Sequence, residues 1–219
     1  MSTDWSLRFF IHEDESVQSF VESIQSRKAS HALTTSIHIS GSVSSRQLPE
    51  GLAPVFQEIA TLPLRRLQIT ELPRSFPAEL IAPAILGTRA SLEVLQVMSI
   101  NLGGDLNTLS LALRNHPCLR EFYAPSVNFD ESTMRDRIDF PNGIHPLVHS
   151  MTTCPKLESL YLQCMGKSTA NCNFGPEMRA ICSMASLKTL AAYATHGRLM
   201  YGVSHTPEQF SYGFASLWA

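Results

Sequence analysis

Apolar positions recur along this chain in a fixed six-residue pattern. Leu64-Arg65-Arg66-Leu67-Gln68-Ile69 is followed by Leu92-Glu93-Val94-Leu95-Gln96-Val97, Leu119-Arg120-Glu121-Phe122-Tyr123-Ala124, Leu157-Glu158-Ser159-Leu160-Tyr161-Leu162 and Leu187-Lys188-Thr189-Leu190-Ala191-Ala192. The first, fourth and sixth positions are apolar in all five, and the starts are 28, 27, 38 and 30 residues apart. An apolar hexad returning at such a period marks a chain built from stacked units.

Within each hexad the fourth and sixth residues share one face of an extended strand, and the third, fifth and seventh share the other. One face is therefore core and the other is polar. The pairs Leu67/Ile69, Leu95/Val97, Phe122/Ala124, Leu160/Leu162 and Leu190/Ala192 are expected to line the core side of short parallel strands. Parallel neighbours need a crossover of about a dozen residues or more, and the intervening segments have helical spacing: Leu80, Ile81 and Ile85; Leu106, Leu109 and Leu113; Met178, Ile181 and Met184. Asp105, Pro77 and Pro176 stand where helix starts are expected. Upstream, Thr34-Thr35-Ser36-Ile37-His38-Ile39 reads as a weaker copy followed by a helix from Leu52 to Leu62. Before it, Trp5 to Ile11 alternates like a strand, and Val17, Phe20, Val21 and Ile24 fall at helical intervals. About seven strand-helix units result.

This pattern resembles the leucine-rich repeat family, in its long-repeat, ribonuclease-inhibitor-like class, which also occurs in F-box adaptor proteins. The resemblance covers nearly the whole chain and implies one α/β solenoid domain over residues 1–219, a horseshoe with a parallel concave sheet and convex helices. The chain departs from the family where an Asn or Cys usually follows the hexad: Leu72, Ile100, Val127, Met165 and Thr195 stand there, which implies turns packed by apolar side chains. A doubly wound α/β domain would also alternate strands and helices. Its strands are buried on both faces, whereas these hexads carry Arg66, Gln68, Gln96, Glu121, Tyr123, Ser159 and Tyr161 on one side, and no Gly-rich phosphate loop follows any strand. After Ala192, Met200, Tyr201, Phe210, Tyr212, Phe214, Leu217 and Trp218 suffice for one apolar helix and no further strand. Residues 193–219 are accordingly expected as a C-terminal cap or truncated repeat.

Stacking the strands arranges the polar positions in columns. The middle column reads His38, Gln68, Gln96, Tyr123, Tyr161 and Ala191; its neighbours read Ser36, Arg66, Val94, Glu121, Ser159 and Thr189, and Ser40, Thr70, Met98, Pro125, Gln163 and Tyr193. Tyrosine combines large apolar area with a hydrogen-bonding tip. Partner binding is therefore assigned to Tyr123, Tyr161 and Tyr193, with Arg66, Gln68, Gln96 and Glu121 as polar specificity contacts. The 38-residue interval holds a charged insertion, Asp130 to Gly143, expected to leave the stack as a loop. A second polar stretch, Gly166 to Asn173, sits one unit later.

Composition narrows the partner class. With 17 basic and 19 acidic residues the net charge is −2, so the basic field that nucleic acid or an anionic membrane requires is missing. Neither a signal peptide nor a membrane span is read from the sequence, and five cysteines, an odd number, fit reduced thiols. A cytoplasmic or nuclear protein is expected. His145 and His149 have the i, i+4 spacing of a zinc pair, but Pro146 lies between them and no Glu does. Cys164, Cys172 and Cys182 lack paired metal spacing, and no nucleophile elbow is present. The expectation is a non-enzymatic scaffold that binds another protein, without cofactor, metal or catalytic residues. A structural spacer, or a fragment of a larger receptor or ubiquitin-ligase-type substrate adaptor, is the alternative reading.

Overall fold

The computed structural model describes residues 5–11, 14–29, 34–41, 52–70, 76–98, 102–103, 106–128, 144–165, 175–194 and 200–203. The first units are β1 (Trp5–Ile11), α1 (Asp14–Ala29), β2 (Thr34–Gly41), α2 (Leu52–Ile59) and β3 (Arg66–Thr70). They are followed by β4 (Phe76–Pro77), α3 (Ala78–Gly87), β5 (Val94–Met98), β6 (Leu102–Gly103), α4 (Leu106–Leu113) and β7 (Glu121–Asn128). The chain then forms α5 (Pro146–Thr152), β8 (Ser159–Met165), α6 (Gly175–Cys182), β9 (Thr189–Ala194) and β10 (Met200–Val203). The result is an α/β fold.

Its main sheet has the order β1-β2-β3-β5-β7-β8-β9-β10, the order of the chain itself. The first seven strands are parallel, and β10 joins β9 antiparallel. This last strand corrects the sequence reading, which expected a helix and no strand after Ala192. Four residues are too few for periodicity to separate strand from helix, and the aromatics around them suit either. Phe76 and Leu102 pair in the separate two-stranded β4–β6 sheet.

Each helix packs on the next along the chain, so the six helices of the described residues form one layer on one side of the sheet. The burial pattern gives the reason. Ile37, Ile39, Leu67, Ile69, Leu95, Val97, Phe122 and Leu160 are fully buried, as are the leading leucines Leu64, Leu92, Leu119 and Leu157. They meet Val55, Phe56, Ile59, Ile81, Ile85, Leu109, Leu113, Leu147, Val148, Met151 and Ile181 from the helices. In α1 the buried set is Val17, Phe20, Val21 and Ile24, with Gln18, Ser19, Glu22 and Ser23 on the exposed side. Close helix contact is also written into Gly87 at the end of α3: a Cβ there would lie 2.5 Å from Ala60 Cβ and 2.7 Å from the Ala60 carbonyl carbon.

The junction between units is made the same way each time. Arg65 O accepts the N–H groups of Glu93 and Val94; Glu93 O accepts those of Arg120 and Glu121; Arg120 O accepts those of Glu158 and Ser159; Glu158 O accepts those of Lys188 and Thr189. All eight bonds are 2.8 to 3.0 Å long. The donor and acceptor pattern thus fixes where each strand begins.

On the helix side the C-terminal turns are tied to one another. Arg89 Nη1 donates to Ala112 O at 3.1 Å, and its Nη2 donates to Arg114 O and Asn115 O at 2.6 and 2.7 Å, satisfying carbonyls left open at the end of α4. Asn115 adopts φ 54°, a left-handed conformation that Asn tolerates better than most residues, and its N–H donates to Thr153 Oγ1 at 2.8 Å. Cys118 and Cys154 thiols donate to Ala90 O and Leu113 O, each at 3.3 Å. His116 is fully buried, and its Nδ1 accepts the Leu119 N–H at 3.1 Å. At the matching places Leu157 and Leu187 donate instead to the backbone carbonyls of Cys154 and Met184. His116 therefore replaces a backbone acceptor with a side chain.

One further local reading changes, and the place of His145 becomes visible. Val127 and Met165 lie within β7 and β8, not in turns, because these two strands run longer than the hexad. His145 precedes α5 and caps it, its Nδ1 accepting the Leu147 N–H at 3.2 Å, with Pro146 at the start of the helix where its missing N–H costs nothing. His145 and His149 are thus not two residues of one helical face.

Candidate functional site

The side of the sheet away from the helices carries the assigned residues. Residue pairing aligns Ser36, Arg66, Val94, Glu121, Ser159 and Thr189 in one column, and Arg8, His38, Gln68, Gln96, Tyr123, Tyr161 and Ala191 in the next. Both follow from stacking the hexads without gaps. The third column departs from the sequence reading: Ser126, not Pro125, lies opposite Gln163, because β7 shifts register between Tyr123 and Ser126. An extra residue bulges there, and proline, having no N–H to give to a ladder, suits such a place. Tyr193 holds the expected position opposite Gln163 on β9.

Arg66 is exposed, while Gln68, Gln96, Glu121, Tyr123 and Tyr161 are half-buried by their neighbours across the strands. The Gln68 Nε2 donates to Gln96 Oε1. His38 Nε2 and Thr70 Oγ1 are hydrogen-bonded at 2.9 Å. Tyr123 and Tyr161 stack face to face, with ring centroids 3.9 Å apart and planes 4° from parallel. The parallel register forces this arrangement, since equal side chains at equal heights on adjacent strands can only lie flat against each other. Burial, joined by the Tyr161 hydrogen bond and the Glu121 charge and opposed by Arg66, pushes the Tyr123 phenol up to about 12. The phenol stays neutral at physiological pH and keeps its O–H as a donor.

A second row of charge runs beside these columns, at the second hexad position. Arg65, Glu93, Arg120, Glu158 and Lys188 alternate in sign from unit to unit. Arg65 Nε lies 3.7 Å from Glu93, Arg120 is 3.0 Å from Glu158, and Lys188 is 3.1 Å from the same carboxylate. Exposed pairs of this kind add little stability. Their effect is on pairing, because a slip by one unit would set like charges side by side. The hexads print this alternation openly, yet it acquires meaning only when the strands are stacked.

Burial pushes the Cys154 and Cys182 thiols up, away from the thiolate a nucleophile needs. Cys118, Cys154 and Cys182 are free. Among the described residues no group of three His, Cys, Asp or Glu side chains is placed to hold a metal ion, and no helix is long and apolar enough to cross a membrane. The 130–143 insertion and the 166–173 stretch lie outside the described residues. Comparison with protein-family models, with curated proteins and with solved structures finds no match to this chain.

Proposed function

We propose that this chain is a leucine-rich repeat solenoid of the ribonuclease-inhibitor-like class that binds another protein through the open, concave side of its sheet. Strand order equal to chain order, one helix layer and four copies of the same two-N–H junction support the repeat reading. The observation that carries the function is the stacked Tyr123–Tyr161 pair, held on the side of the sheet that the helices leave uncovered. Two rings fixed against each other present their edges and phenol hydroxyls with little rotamer entropy left to lose on binding. Gln68, Gln96, Arg66 and Glu121 surround them with polar groups that select a partner. Three free thiols suit a cytoplasmic or nuclear setting.

The spacer alternative has less support. β10 runs antiparallel along the outer edge of β9, the place that the strand of a further parallel repeat would take.

Affinity capture tests the assignment with three proteins: the intact chain, the Tyr123→Ala/Tyr161→Ala variant, and a helix-side control, Leu86→Ser/Leu111→Ser, whose two leucines are 53% and 65% exposed. A partner held by the intact chain and the control, and weakened at least about tenfold by loss of the tyrosines, is the expected result. Retention by the tyrosine variant and loss from the control would move the site to the helix side.

A further inference from the structure

The open face is polarised along the stack. Among the described residues it carries two full cations, Arg8 and Arg66, both on the first three strands, and a single carboxylate, Glu121, on β7 beside the tyrosine pair. Both arginines are exposed. The neighbouring row of charge is engaged within itself through Arg65–Glu93 and Arg120–Glu158–Lys188. Between the two ends lie Val94, only 8% exposed, and the amides of Gln68 and Gln96. Their mutual bond uses one Gln68 N–H and the Gln96 oxygen, and among the described residues the Gln68 oxygen and the Gln96 NH2 have no other partner. An acceptor and a donor thus stand side by side in the column next to that of Arg66 and Glu121.

On this reading of the open face as the binding surface, we propose that the occupant is an extended segment of a partner protein. It lies across the strands, with an acidic side chain over Arg66 and a basic side chain over Glu121, beside the tyrosine pair. The spacing sets its sequence. Arg66 and Glu121 share one column and are two strands apart, about 9.5 Å, whereas Arg8 stands in the neighbouring column and adds positive charge at the β1 end without setting the spacing. A polyproline II segment has three residues per turn and rises about 3.1 Å per residue, so positions i and i+3 share a side at about 9.3 Å. The matching pattern is acidic, two residues, basic, in either chain direction. Such a segment makes no hydrogen bonds of its own, which leaves its N–H and C=O groups to the Gln96 and Gln68 amides. The basic side chain meets the Glu121 carboxylate, with the phenol oxygens of the stacked tyrosine pair beside it as further acceptors.

Selection from a phage-displayed library of random peptides of about 12 residues tests this, because such peptides carry no imposed structure. Selected binders should share the acidic-x-x-basic spacing, lose roughly tenfold in affinity with Arg66→Glu and with Glu121→Lys, and lose binding with Tyr123→Ala/Tyr161→Ala. The Arg66→Glu/Glu121→Lys double variant should bind peptides in which the acid and the base are exchanged. Binders that need the tyrosines but keep their affinity in both charge variants would overturn the polarity while leaving the open face as the binding surface. Binders indifferent to the tyrosines as well would overturn both.

Discussion

Replacing Phe122 with alanine is expected to lower the unfolding free energy by about 3 to 5 kcal/mol, read as a fall in the urea midpoint without a change in slope. Phe122 is fully buried and sits between Leu95 on β5 and Leu160 on β8, where every other unit places an aliphatic side chain. Truncation would leave a cavity in the middle of the stack, with core neighbours from adjacent units on both sides. The helices beyond it are held by their own buried residues and cannot collapse far into the space. Tyr123, the next residue, faces the other side of the sheet and stacks on Tyr161. Its replacement by alanine is expected to cost only about 1 kcal/mol, the stacking contribution of a surface aromatic pair. The contrast between adjacent residues is what the two-sided sheet demands. Equal losses would contradict the assignment of faces.

Acid is the second large perturbation, and it acts through His116. The Nδ1 accepts the Leu119 N–H, so the neutral ring holds its proton on Nε2, inside the protein. Burial first, and the Arg89 charge second, push its pKa down to about 4. An unfolded chain takes up this proton as the pH falls through about 6.5, but the folded protein resists until about 4. Between those values the unfolded state binds more protons, so stability falls as pH falls. The loss grows to about 3 kcal/mol near pH 4 and is absent above pH 7. Glu58 and Glu158, held below the usual carboxylate range chiefly by hydrogen bonds from Lys28 and Lys188, also lose stabilisation on acidification. Comparison with His116→Asn removes their part, since the amide oxygen supplies an acceptor for Leu119 and does not titrate. Urea titrations of the two proteins from neutral pH to about 4.5 are expected to show the steeper fall in the unsubstituted chain. Parallel profiles would show that His116 is charged or solvated in the folded state.

Most elements of the sheet were legible because the strands alternate with period two and five of the units begin on a leucine. Stacking those hexads also yields the first two columns residue for residue. Legibility ends where a unit departs from the six-residue frame. The extra residue in β7 moves Ser126 into the place that counting gives to Pro125. β10 is four residues long and lies among aromatics that suit a helix equally well. The tyrosines could be named singly as anchors, but their face-to-face stack depends on strand register, which no single unit contains. His116 gave no signal at all, since a lone histidine before a leucine says nothing of an acceptor role. Its meaning comes first from burial and then from the charge of Arg89, which lies in the preceding unit.

The claim that the open face is the working surface is tested most directly by site-specific photocrosslinking. A benzophenone side chain at position 96, in the middle column beside Gln68 and Tyr123, is compared with one at position 111, exposed on α4 on the helix side. Both forms are irradiated in the cells that express the protein. The account predicts a discrete crosslinked partner from position 96, lost when Tyr123 and Tyr161 are both alanine, and none from position 111. A discrete partner from position 111 with none from position 96 would contradict it.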